Sequence, residues 1–532
     1  MASRDSKRWF QRIGPGLITA CVVIGPGSIL TSSKVGASQG YALSWVVLVA
    51  ALFMMLFTSL GAKLGAVAPA SPADLIRDRA GRWLAICIGI GVFFISAAFQ
   101  FGNNLGVHAA FKEFADYLPK MGRFDIDYVI VCFNLLTISF LFAFRNLYRA
   151  LERLMTLFVG LMLLAFAINL IFARPSVIDI LEGCIPPIQL LWSGSDDAGQ
   201  SLLDLSLLGL VGTTFVITAS YYQAYLVRQK GWGKAELKDG VMDARVGAII
   251  MAMITLMLMT TAAARLQGQA LQNVGDVAAG LRPAFGALGH SLFCLGLFSA
   301  AYSSFMVNSM IGGFILADGL GLGSKPDDFF PRFFTVAALL SGMAIAWLVI
   351  RVGLNPIPAI VAAQAVTVVA APLVAAALIW LTSSKKIMGD QRNSALTNIA
   401  AAVGLLLLLL MAWYTATTII PQRWNHWRES TSQKAVAGTF SQRGRLQSNT
   451  PRRARSVSPI GFNNVPTQPS FTRSRRHHKY WRVWQCSTEQ GLLCDAATGR
   501  TSSQGVASLH NLLPGLHLRH VRLCPLPFRS DG

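Results

Sequence analysis

Pro15-Gly16-Leu17-Ile18-Thr19-Ala20-Cys21-Val22-Val23-Ile24-Gly25-Pro26-Gly27-Ser28-Ile29-Leu30 is an apolar run interrupted by its own residues. Pro26 removes a backbone donor and clashes with the preceding turn, and Gly25 and Gly27 make helical geometry costlier still. The stretch is expected to unwind. Backbone groups freed inside a bilayer are tolerated only where they line a cavity or bind something. Broken helices near the midplane are how many transporters build their substrate sites. A plain proline kink between packed helices is the other reading of the same residues. The setting is membranous: of 532 residues, 53% are hydrophobic and only 13% charged, where a soluble domain carries roughly 25% charged.

Working outward, eleven apolar runs are long enough to span a bilayer, which takes about 20 residues each. They cover approximately 14–33, 42–66, 83–109, 127–144, 154–172, 203–226, 246–264, 289–316, 333–350, 357–382 and 395–420. Continuous apolarity makes them helices, because lipid-exposed backbone must bond internally, and excludes a barrel of alternating strands. Placing the N-terminus inside puts 20 Lys and Arg in inside segments and 8 in outside ones, the asymmetry expected of cytoplasmic loops. The expectation is an all-α, multi-pass protein with residues 1–13 cytoplasmic and lipid as its surroundings. Its compact loops suggest a bacterial inner membrane.

Residues 421–532 differ in kind, with 17 Lys and Arg against 4 Asp and Glu. Clusters such as Arg452-Arg453-Ala454-Arg455 and Arg473-Ser474-Arg475-Arg476 carry no helical or strand period, so this extension is expected to be disordered. Most of the net charge of +21 sits there and does not point to nucleic acid. The eight cysteines form no C-x-x-C pair. In apolar helices they read as small packing residues, not as a metal cluster or a disulfide framework. No nucleophile–base pairing suggests an enzyme, and no cofactor is expected.

The opening resembles that of the NRAMP divalent-metal transporters. The residues that carry the likeness are Ile13-Gly14-Pro15-Gly16-Leu17-Ile18-Thr19-Ala20, the Gly25-Pro26-Gly27-Ser28 break, and Gly36-Ala37-Ser38-Gln39-Gly40-Tyr41 with Trp45. Gly209-Leu210-Val211-Gly212-Thr213-Thr214 resembles the start of the family's sixth helix, and Ser303, Ser304, Gly312, Gly313 and Phe314 look like its eighth. The resemblance implies a LeuT-like fold: helices 1–5 (about 14–172) and 6–10 (about 203–382) as inverted repeats, helices 1 and 6 broken at a central site, and helix 11 at about 395–420. It also implies metal-ion transport, proton-driven in typical members.

The departures fall on the chemistry. The family's DPGN aspartate falls on Gly25 and its asparagine on Ser28, while its MPH motif falls on Val216-Ile217-Thr218 and a later histidine on Gln223. In the third helix an acid pair falls on Gln100 and Asn103, whereas Gln364 matches the family's tenth-helix glutamine. The candidate binding residues are therefore Gly25 and Gly27, through freed carbonyls, with Ser28, Thr218, Gln223 and Gln364. Ser28, Thr218 and Gln364 are the candidate metal ligands, and Gln100, Asn103 and Asn308 line the expected pathway. Losing the soft thioether weakens preference for manganese and iron. Neutral oxygens suit a partly hydrated hard cation such as magnesium, and losing Asp, Glu and His together argues against proton coupling. An amino-acid-like solute carrier on the same architecture, or a homologue that no longer transports, are the other readings. Each Ser and Thr could equally bond its own helix. His108 and His290 are expected at the interface, and Met251, Met253, Met257 and Met259 as packing.

Overall fold

The computed structural model describes residues 14–115, 128–144, 146–186, 205–271, 274–352, 357–419 and 421, and these are almost wholly helical. The first apolar run is two helices, α1 (Pro15–Val23) and α2 (Pro26–Gln39), bent by 59° at the break. Then come α3 (Ser44–Val67), α4 (Pro72–Ala80), α5 (Arg82–Ala115), α6 (Tyr128–Ala143), α7 (Leu147–Ala173) and α8 (Val177–Gly183). A second interrupted run gives α9 (Leu205–Thr214) and α10 (Ile217–Gln229). The chain continues through α11 (Leu237–Arg265), α12 (Val274–Leu320), α13 (Phe329–Val352), α14 (Ile357–Ser383), α15 (Lys385–Met388) and α16 (Ala395–Tyr414). Inside α12 the backbone leaves helical geometry at Gly286, where φ is 64°.

Among the described residues, seven helices, and an eighth if α1 and α2 are taken together, are long and apolar enough to cross a membrane. The three other expected spans fall on α6, on the interrupted α9–α10 pair, and on α14, whose side chains are described from Ala370 onward. The protein is a multi-pass integral membrane protein. Its lipid-facing residues are as apolar as its core: Leu135, Leu164, Ile171 and Trp413 are all exposed.

The interrupted helices sit in the middle. Every residue of α1 except Leu17 is buried, as is α10 from Ile217 to Val227. α1 packs on α7, α10, α11 and α12, and α5 runs along α12. Close approach relies on glycine. A Cβ on Gly16 would run into the backbone of Asp243, one on Gly247 into the backbone of Gly16, and one on Gly106 into the Pro26 ring. Small residues at such crossings let membrane helices meet at backbone distance. The basic extension expected at 421–532 lies outside the described residues apart from Pro421.

Candidate functional site

The break in the first helix has a definite local geometry. Ile24 (φ −86°, ψ 80°) closes an inverse γ-turn, with Gly25 N–H donating to Val23 O at 3.1 Å. Gly25 is extended (φ −116°, ψ 178°), and α2 starts at Pro26, the N1 position where a missing N–H costs nothing. Gly25 O already accepts from Ile29 N–H at 3.1 Å as the first acceptor of α2, and Gly27 lies within its first turn. The expectation that Gly25 and Gly27 offer free carbonyls is therefore corrected. The carbonyls that run out of intrahelical donors are those at the C-terminal end of α1; Val23 O is filled by Gly25 N–H and the Ser28 hydroxyl, and Val22 O takes one donor, the Ser304 hydroxyl. Ser28 is buried, and its hydroxyl bonds Val23 O, closing the turn.

Around Gly25 the neighbours are polar and neutral. Ser304 Oγ on α12 donates to Val22 O at 3.2 Å and accepts from Asn308 Nδ2 at 2.9 Å. A Cβ at Gly25 would stand 2.8 Å from Ser304 Oγ and 3.3 Å from Asn103 Oδ1. Asn103 belongs to a buried amide series on α5 and α6. Gln100 Nε2 donates to Phe305 O (2.7 Å) and Asn103 Nδ2 to Gln100 Oε1 (3.0 Å). Asn104 Nδ2 donates to Gln100 O, and Asn134 Nδ2 to Asn104 Oδ1, both at 2.8 Å. The structure thus brings Gly25, Ser28, Gln100, Asn103 and Asn308 together, and adds Ser304 and Val22 O, which sequence reasoning did not single out as ligands. The signals were present: Ser304 and Asn308 are four apart on one helix face, and Gln100, Asn103 and Asn104 make a polar stripe in an apolar helix.

Thr218 and Gln223 stand on α10. The interruption of this run lies at Phe215 and Val216, without a proline or glycine to force it. Thr218 is buried, its hydroxyl has no partner among the described residues, and it borders a cavity of about 30 Å³ with Phe215, Val216, Ile217 and Met411. Gln223 sits lower on α10 against α1, where its Oε1 meets the Thr19 hydroxyl, and its Nε2 has no partner among the described residues. The side chain of Gln364 lies outside the described residues, although its helix, α14, is described. His290, expected at the interface, is instead fully buried beside Cys294, and His108 is half-buried.

Two carboxylates that the sequence did not single out, Asp243 and Asp318, are buried. The seventh run, expected from 246, begins at Leu237, which brings Asp243 inside α11. Asp243 accepts from Gly14 N–H (2.8 Å) and Gly16 N–H (2.6 Å), capping the start of α1. The Lys230–Glu152 ion pair (2.8 Å) lies beside Gly14. Asp318 takes Ser71 Oγ (2.7 Å), Tyr225 OH (2.6 Å) and Ala73 N–H (3.2 Å), joining α12 to α10 and α4. Both carboxylates lie near helix ends, away from the break. Among the described residues no group of three His, Cys, Asp or Glu side chains gathers to hold a metal. On α2 one face is open: Gly27, Lys34 and Ser38 are exposed, and Leu30 and Thr31 are half-buried.

The chain resembles known proteins over most of its length. The divalent metal cation transporter MntH of Verminephrobacter eiseniae is 26% identical over 403 residues, covering 73% of this chain and 85% of its own length. MntH of Bacillus subtilis is 26% identical over 395 residues, covering 72% and 86%. A manganese transporter of Eremococcus coleocola, solved with an aromatic bis-isothiourea compound, superposes with a TM-score of 0.66 at 19% identity, over 77% of this chain and 87% of that one. That superposition shows the fold, the LeuT-like bundle with its first and sixth helices interrupted. The family model described as "Natural resistance-associated macrophage protein-like" matches residues 16–418, and the chain belongs to this Nramp family.

Proposed function

We propose that the protein carries divalent metal cations across the membrane, takes them partly hydrated on neutral oxygens as magnesium would be taken, and moves no protons in exchange. Divalent metal transport is the activity named for the MntH relatives. The observation that carries the finer reading is the make-up of the break. Val22 O, Ser28, Asn103, Ser304 and Asn308 meet there as hard, uncharged groups. No thioether favours a soft metal, and a weak neutral field leaves magnesium several of its waters. The buried series Gln100, Asn103, Asn104 and Asn134 consists of amides, which relay no charge as carboxylates and imidazoles do. Cations would reach the break along the open face of α2, from the side opposite the α1 N-terminus, with that N-terminus in the cytoplasm. Thr218 and Gln223 continue the proposed path on α10, and Gln364 is proposed with them from its place in the sequence alone.

The test is uptake by the purified full-length chain in liposomes, comparing magnesium, manganese, calcium and amino acids with a pH dye enclosed. Magnesium and manganese entry without internal acidification is expected. Acidification coupled to metal entry, or no metal entry, would overturn the reading. One observation favours a second reading, an anionic or zwitterionic solute. α2 has no side-chain cap at its N-terminus, Gly27 there is open, and Lys34 lies on the same face. A half-helix N-terminus of this kind holds a carboxylate in other transporters of this architecture. Amino acid entry alone would select it.

A further inference from the structure

We propose that Asn103 and Ser304 supply the oxygens that a side chain at residue 25 would otherwise bring to the passing cation, and that Gln100 is the positioning residue that keeps the Asn103 oxygen turned toward it. The proposal rests on the cation reading above and names the groups that set its selectivity.

The orientation follows from hydrogen-bond polarity. Phe305 O is an acceptor only, so the Gln100 atom facing it at 2.7 Å is the NH₂ group. Gln100 Oε1 then faces α5 and accepts from Asn103 Nδ2 at 3.0 Å. With its donor committed, Asn103 points Oδ1 at Gly25. On the other side, Ser304 spends its proton on Val22 O and one lone pair on Asn308, leaving one lone pair free of those partners. Both oxygens stand where a Cβ at Gly25 would be, at 3.3 and 2.8 Å. The negative end of the α1 dipole and the positive end of the α2 dipole both abut this point and oppose each other. The glycine is thus part of a matched set. It makes room for two neutral oxygens borne by α5 and α12.

Half-saturation of magnesium uptake by the full chain in liposomes is the measurement, with manganese in parallel. Asn103→Leu and Ser304→Ala are each expected to raise it on the order of tenfold, the loss of one contact to a charged group. Gln100→Leu should do the same by letting the Asn103 amide turn. Asn103→Asp presents an oxygen in either orientation, so the pair Q100L/N103D should recover a half-saturation at or below that of the wild type. A purely structural role for Gln100 would not be rescued this way, and the detergent melting temperature of Q100L itself shows whether that variant folds. Wild-type uptake of magnesium with N103L and S304A unchanged would overturn this proposal alone. So would a Q100L/N103D variant as impaired as Q100L. Wild-type protein that carries neither cation would overturn the cation reading and this proposal with it.

Discussion

Gly25 shows how one residue conditions its neighbours. Installing an acid there is the obvious route to a tighter metal site, yet a Cβ would press on Ser304 Oγ. Gly25→Asp alone is expected to lower the melting temperature and the yield of folded protein. Gly25→Asp with Ser304→Ala should restore folding and bind manganese on the order of tenfold more tightly than the wild type, because a carboxylate now meets the dication; manganese titration of the two variants would decide it. Ser28 was legible as a residue at the break but not as one whose hydroxyl closes the turn on Val23 O. Serine in a membrane helix has a carbonyl within reach by default, and sequence cannot say which one it takes. Gly25 and Gly27 were read as carbonyl donors because helix breakers mark where a helix stops. The carbonyls without intrahelical donors belong to the residues just before the stop, and side chains and the turn bond them.

Between elements, α1 is held by a carboxylate from α11 and by glycine-to-glycine contact. Asp243→Ala removes two hydrogen bonds to a charged group and should cost about 3 kcal/mol of stability. It should also loosen α1, and Cys21 is a native reporter because it is buried on that helix. Peptide-level mass spectrometry after treatment with a membrane-permeant maleimide should find Cys21 protected in the wild type and modified in D243A. Equal protection in both would remove Asp243 as the tie. Gly247→Ala inserts a methyl against the Gly16 backbone and should lower stability by about 1–3 kcal/mol, read as detergent melting. The proline break between α1 and α2 was legible because its signal is local. The interruption at Phe215–Val216 has no such residue, so tertiary packing decides it, and periodicity alone would run α9 into α10. Asp243 was missed because the charged first turns of α11, with Lys238, Asp239, Asp243 and Arg245, look like a loop until α1 is seen lying over them.

For the molecule as a whole, composition was enough to announce a membrane bundle, since long apolar runs have few alternatives to helices in lipid. The central helices are in fact the less apolar ones, since Leu288–Leu320 is the most buried of the long spans and has the lowest hydropathy, but which of them meet at the break is decided by packing. The family match ends at residue 418, so removing everything after Pro421 should leave magnesium uptake within about twofold of the full chain, well under the tenfold that corresponds to 1.4 kcal/mol; a larger loss would give the basic extension a role. The groups assembled at the break are uncharged, and this has an electrical consequence. A doubly charged cargo crossing 100 mV would exchange about 4.6 kcal/mol with the field, at roughly 2.3 per charge. The unloaded carrier, bearing no fixed charge at its centre, would return without feeling it. Hyperpolarisation should therefore drive the loaded half of the cycle and leave the empty half unaltered.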